Sequence, residues 1–282
     1  MDGSSTTDDA VVDVRRQVAV VQHRLRGEDP AFPDAAAGTS RPRYSDAGDR
    51  FPIGQPVRVG RSRSSRAPTS LRELAVDHVL LATSDLATAS RLLGDRYGLR
   101  SVEGGRHPDW GTANWIVPVG DAYLELVTVV DERVAERNPF GRWVANARPL
   151  VVRPIGWAVR TKSLDAVATR HGLGVTAGSR AAPSGQLLTW RLAGVEHAAA
   201  EPILPFFIEW GDGTPHPSHA LGADSNDFVE IARLELTGDA DRLRAWLDDE
   251  GGPIAVDTGP PGVTKVVLST PGGEVGIDAT FR

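Results

Sequence analysis

The chain has 282 residues, 40% apolar and 24% charged, which is the balance of a globular protein long enough for one large or two small domains. Its net charge of −6 argues against nucleic acid as a partner, and the lack of cysteine excludes disulfides, zinc–thiolate sites and cysteine nucleophiles. The polar start Met1-Asp2-Gly3-Ser4-Ser5 is unlike a secretory signal, and no apolar run approaches the roughly 18 residues that span a bilayer. A cytoplasmic protein without a membrane partner is therefore expected.

Residues 1–75 differ in character from the rest. Val11, Val12, Val14, Val18, Val21 and Leu25 fit one amphipathic helix, and Gly27 to Ser70 reads as a disordered linker rich in Pro, Gly, Ser, Arg and Asp. Its Arg58, Arg61, Arg63 and Arg66 form a solvated basic tail, or a contact for an acidic surface or RNA.

Residues 76–150 form a first unit of strand, helix and three strands. Val76 to Thr83 is an apolar run interrupted by His78. Ser84 or Asp85 caps a helix with Leu86, Ala89, Leu92 and Leu93 on one stripe, closed by Gly98. Trp115–Val119 and Ala122–Val130 are strands joined by a turn at Gly120-Asp121, and Asp131 to Ala147 is a partly helical connection. Residues 151–222 repeat the pattern, with a strand at Ile155–Thr161, a helix capped by Ser163 and ended by Gly172, and strands near 187–192 and 206–210. Residues 223–282 are a third, partial copy, with a strand near 232–237, a helix capped by Asp239, and strands near 265–269 and 274–279. In it Ala232 and Asp278 take the places of His78 and Glu125.

The first two copies match at offsets of about 75 to 84 residues. Asp77-His78-Val79 corresponds to Ile155-Gly156-Trp157, and Tyr123-Leu124-Glu125-Leu126 to Phe207-Ile208-Glu209-Trp210. The expected fold class is α+β, with repeated βαβββ units forming a cupped mixed sheet and helices outside. With a period of two along each strand, Tyr123, Glu125 and Val127 share one face, and Phe207 and Glu209 the corresponding face. A carboxylate between apolar neighbours in mid-strand is costly to bury unless paired or metal-bound, and here the choice is made twice. The partner of His78 is Gly156, which has no side chain to offer.

These segments resemble the vicinal oxygen chelate superfamily of glyoxalases and extradiol dioxygenases. The run Gly104-Gly105-Arg106-His107-Pro108-Asp109-Trp110-Gly111-Thr112-Ala113-Asn114 resembles more narrowly a branch with a glyoxalase-like domain. The resemblance covers about residues 76–280. It implies a divalent metal (Zn, Mn, Fe or Ni) held by His78, Glu125 and Glu209, with Gly156 at the fourth position, acting as a Lewis acid. It also implies isomerase, lyase or dioxygenase chemistry on an oxygen-rich small molecule. Glu125, Glu209 and His107 are the candidate catalytic groups. Arg106, His107, Trp110, Asn114 and Trp157 are the candidate substrate contacts, with His107 in a Gly-rich loop at the rim and Trp210 a further candidate for the cup lining.

The alternative is a metal-free cup that binds or sequesters a small ligand, with His78 paired directly to a carboxylate. A third class is an interaction protein in which the third unit and the N-terminal helix serve assembly, a homodimer included. His216 and His219 lie in a turn-rich segment where Pro217 opposes a helical metal pair. Gly-x-Ser-x-Gly and phosphate-loop patterns are absent, which removes support for hydrolase and nucleotidase readings.

Overall fold

Alternation organises the first strand. In β1 (Ala75–Thr83), Val79 and Leu81 point to one side and Leu80 and Ala82 to the other, and all four are fully buried. A strand buried on both faces lies in the middle of a layered structure. The computed structural model describes residues 74–147, 151–220, 226, 228–248 and 252–281, all within the compact unit Ser64–Arg282. The amphipathic helix, linker and arginine cluster expected before residue 74 lie outside the described residues.

The first unit runs β1, α1 (Leu86–Tyr97), β2 (Val102–His107), β3 (Thr112–Val119) and β4 (Ala122–Val129). Asp85 caps α1 by accepting the Thr88 amide at 2.5 Å, and Gly98 ends it in the left-handed region. The connection carries α2 (Glu132–Ala135) and α3 (Pro139–Ala147). The second unit runs β5 (Val152–Arg160), α4 (Leu164–His171), β6 (Val175–Ala181), β7 (Leu187–Ala193), α5 (Val195–Ala200) and β8 (Phe206–Trp210). The two units share one eight-stranded mixed sheet, ordered β2-β3-β4-β1-β5-β8-β7-β6. The seam is the antiparallel pair β1–β5, with each unit's last strand parallel to its first.

The sheet curls until its edges meet. Gly105 on β2 lies so close to β6 that a Cβ there would collide with the Ala181 carbonyl, and Arg180 of β6 donates to the Gly104 carbonyl. Gly105, at φ 138°, sits where β2 shifts register against β3. A side chain would therefore be strained as well as blocked.

The third unit comprises β9 (Glu230–Thr237), α6 (Ala240–Leu247), β10 (Ile254–Asp257), β11 (Gly262–Thr270) and β12 (Gly273–Asp278). Its order of elements repeats the first two, but its strands are ordered β10-β9-β11-β12, with β9 inside rather than at an edge. It packs on the convex side of the large sheet. There Leu234, Trp246, Val266 and Ile277 join Val79, Leu81, Leu93, Trp157 and Phe207 in one apolar cluster. Tyr97 donates to the Gly276 carbonyl at 2.7 Å, and Trp246 to that of Pro205 at 2.9 Å. The concave side holds a second cluster, built on Leu80, Ala82, Val127, Ala158, Phe206 and Ile208, and α3 and α5 plug it with Phe140, Trp143, Val144 and Ala198. Helices thus cover both faces, the connecting ones on the inside.

Candidate active site

The polar floor of the cup begins with an irregularity. The β1–β5 register shifts between Val76 and His78, leaving Asp77 as the extra residue. Neighbouring side chains on a regular strand point to opposite faces. A bulge lets both point inward. The Asp77 carboxylate, fully buried, reaches His78 Nδ1 with Oδ1 at 2.6 Å. Its Oδ2 accepts from Trp210 Nε1 at 3.0 Å and meets His216 Nε2 at 2.9 Å. Burial works to raise its pKa. The hydrogen bonds from His216 and His78 outweigh that and hold it well below the usual carboxylate range. His216 Nδ1 accepts the Ser218 amide at 3.2 Å, so its proton sits on Nε2, toward Asp77. With Nδ1 of His78 donating to Asp77, its Nε2 faces the cup.

Opposite that nitrogen stands Glu125 of β4, with Oε2 at 3.5 Å from His78 Nε2. Its other oxygen accepts from Asn114 Nδ2 at 2.6 Å. Asn114 fits because position 104 is glycine: a Cβ there would overlap Asn114 Oδ1. His78 stacks on Tyr123, ring centroids 4.7 Å apart. The Tyr123 phenol is pushed well above its ordinary pKa by burial and then by the charges of Asp77 and Glu125, so it is neutral.

These groups line a cavity of about 30 Å³, room for roughly two waters. Its other walls include His107, Trp110, Phe140, Arg180, Trp190, Phe206 and Trp210. His107 is not at an exposed rim. The Gly-rich run is a β-hairpin rather than a loop, and His107, the last residue of β2, is only 4% exposed, bonded to Thr112 Oγ1 at 2.9 Å. Burial, then the Arg180 charge, pulls its pKa down to about 3, so it is neutral near pH 7. A second cavity of about 300 Å³ shares Trp110, Phe140 and Leu192 with the first and extends to Leu173 and Glu196.

Of the residues singled out in the sequence, His78, His107, Trp110, Asn114, Glu125 and Trp210 line this cavity together. Three others do not. Phe206, Ile208 and Trp210 take the inward face of β8, so Glu209, expected on the cup face, points to the convex side. There it accepts the Leu164 amide at 3.0 Å and Arg191 at 2.5 Å, capping α4 where Ser163 makes no side-chain cap. Trp157 likewise faces the convex core and donates to the Ile203 carbonyl at 3.0 Å. Arg106 is exposed, on the outward side of the hairpin. The sequence did not single out Arg180 and Trp190, which line the cavity, or Asp77 and His216, which support His78 from behind. Asp77 and His216 become legible only through the bulge and the return of the chain after β8.

The expected metal does not fit this donor set. Only His78 and Glu125 face one another. Glu209 is turned away, and the Gly156 position is filled by the Trp143 ring, which a Cβ would strike. The unpartnered Asn114 Oδ1 abuts Gly104 rather than a third donor. Among the described residues no three His, Cys, Asp or Glu side chains are arranged so that they could hold a metal ion, and the buried Arg180 cation lines the same cavity.

No helix among the described residues is long and apolar enough to cross a membrane. A hypothetical protein from Staphylococcus aureus matches with TM-score 0.51 at 16% identity, covering 73% of this chain and 86% of that one. A methylmalonyl-CoA epimerase from Mycobacterium tuberculosis matches with TM-score 0.35 at 19% identity, over 52% of this chain and 91% of that one. The first likeness concerns the fold alone, and the second is too loose to speak of activity. No curated protein matches the sequence. The glyoxalase-like domain model matches residues 76–250, well over half of the chain. On the paired βαβββ units, the closed cup and that match, the chain belongs to the glyoxalase-like domain family of the vicinal oxygen chelate fold.

Proposed function

We propose that this protein is a small-molecule enzyme that moves a proton on an oxygen-bearing substrate, as an isomerase or lyase. One observation carries the reading. Asp77 orients His78 so that Nε2 faces Glu125 Oε2 across 3.5 Å at the floor of a buried cavity. Two acid–base groups side by side at the floor of a cavity suit removal of a proton beside a carbonyl and its return to the same or a neighbouring atom. The C–H bond breaks toward His78 Nε2, its electron pair moves onto the carbonyl oxygen, and Glu125 supplies or accepts the second proton. Asp77 stabilises the imidazolium as it forms, and the aromatic walls keep water out.

Dioxygenase chemistry, and the Zn, Mn, Fe or Ni forms of the isomerase and lyase readings, need more donors than His78 and Glu125 supply. Ligand binding without turnover is the second reading, favoured by the aromatic walls. Proton exchange into small carbonyl compounds in D2O, followed by NMR, separates the two. The enzyme reading expects exchange lost by roughly 100-fold or more in both His78→Gln and Glu125→Gln. Binding with no exchange in the wild type would leave the binder. Stoichiometric divalent metal in untagged protein, lost in His78→Gln, would restore the metal site.

A further inference from the structure

Arg180 is the charged group in the cup that proton transfer between His78 and Glu125 leaves without a role. It lies on β6, an edge strand whose other side chains are exposed or half-buried, and it alone there is buried, at 6% exposure. Its guanidinium has five N–H donors in a planar fork, and the structure gives it one acceptor, the Gly104 carbonyl. It makes no ion pair among the described residues. Glu125, the carboxylate lining the same cavity, is engaged by Asn114 and faces His78.

Burial works against the Arg180 cation and the Glu125 charge favours it, but no carboxylate pairs directly with the fork. Had β6 needed only a clasp to β2, the Ala181 carbonyl and a neutral donor would serve. Keeping a charged fork there instead suits an anion that arrives from outside. The planar fork matches a carboxylate in two parallel hydrogen bonds. Size points the same way. The cavity beside Arg180, about 30 Å³, admits only a head group, while the cavity of about 300 Å³ behind Trp110, Phe140 and Leu192 has room for the remainder.

We propose that Arg180 determines specificity and that the ligand is a small organic acid whose carboxylate pairs with the Arg180 guanidinium. That the carbon next to this carboxylate is the reacting one rests on the proton-transfer reading; the pairing itself does not. The test uses the full chain and matched acids and amides: pyruvate with pyruvamide, lactate with lactamide, and mandelate with mandelamide. Calorimetry on the wild type should show each bound acid held roughly tenfold or more tighter than its amide. Arg180→Gln should erase that preference, and Arg180→Lys should keep part of it, with thermal melts confirming that each variant is folded. If Arg180→Gln does not fold, the wild-type ratio and Arg180→Lys decide.

Equal affinity for acid and amide, a preference that survives in Arg180→Gln, or binding of no member of any pair would each overturn the proposal. Proton exchange in D2O keeps the two ideas apart. An acid bound without exchange removes the proton-transfer reading and leaves the anion pocket. Exchange of an amide as fast as its acid removes the anion pocket and leaves proton transfer.

Discussion

The two halves of the repeat put different chemistry on the same face. The first half turns His78, Asn114 and Glu125 into the cup, together with Tyr123. The second half turns in Trp190, Leu192, Phe206, Ile208 and Trp210, with Arg180 as its one charge. In the repeat, the His78 of one copy corresponds to the Gly156 of the other, and Glu125 corresponds to Glu209, which points away. On the proposed reading, the first wall exchanges protons and the second holds and dries a ligand. A duplicated unit can divide the labour of a site in this way because each copy keeps its own strand order while its inward residues change independently.

The group that joins the walls is Asp77. It belongs to the first half yet takes hydrogen bonds from Trp210 of the second half and His216 beyond it. Replacing it breaks the comparison most severely. Asp77→Asn keeps the shape but sets an N–H₂ against one of three donors. It should cost about 2–4 kcal/mol in urea unfolding. It should also free His78 to take the other tautomer, so exchange activity should fall further than stability does. A variant of unchanged stability would show that the carboxylate does not tie the halves together.

Gly156→Ala comes next. A methyl group at 156 overlaps the far edge of the Trp143 ring, which is packed between Phe140 and Phe206. The expected loss is about 1–3 kcal/mol from overpacking. Adding Trp143→Ala should cost less than the sum of the two single changes, because each removes what the other strikes. Additive losses would mean that the glycine is not there to admit the ring.

How much of this was legible before the structure can be judged from individual strands. His78 and Glu125 stood out because a polar group in an apolar strand must be satisfied, and both do line the cup. Glu209 had the same local pattern, Phe-Ile-Glu-Trp against Tyr-Leu-Glu-Leu, yet it faces outward. On a strand buried on both sides, period two says which residues share a face but not which face that is. The answer came from α4, whose unsatisfied amide at Leu164 recruits Glu209. Trp157 went the same way, into the convex core. Arg180 was hidden for the opposite reason. Val175 to Ala181 is an edge strand without apolar alternation, so neither the strand nor its inward arginine announces itself. The third unit's helix was readable from its cap at Asp239, but its strand order depends on long-range pairing that local pattern does not encode.

His107 sharpens the comparison through pH. Its folded pKa, about 3, lies below the ordinary 6.5 because burial and the Arg180 charge disfavour the cation. Between those values the unfolded chain binds a proton that the folded protein refuses, so stability falls as pH drops from about 6.5 toward 3. His171, also pushed down by burial, contributes with the same sign. His107→Gln should therefore flatten the decline of Tm between pH 6.5 and 4, by a few degrees, leaving the part owed to His171. An unchanged profile would mean that His107 is charged or solvated in the folded state.

Glu209→Gln should have the smallest effect, and it probes the division between the walls from the other side. Glu209 is half-buried, and its partners, Arg191 and the Leu164 amide, lie on the convex side. A glutamine oxygen can still cap α4, so the loss is mainly the ion pair, whose second carboxylate, Asp165, still holds Arg191. About 0.5–1 kcal/mol is expected for a partly exposed pair of this kind, less at high salt. Proton exchange, acid-over-amide preference and metal content should all match the wild type, whereas Glu125→Gln should abolish exchange. If the two glutamine variants behaved alike at the site, the copies would share one catalytic face and Glu209 would have to reach the cup. If only Glu125→Gln matters, the two glutamates of the repeat serve different ends: one exchanges protons, and the other starts a helix.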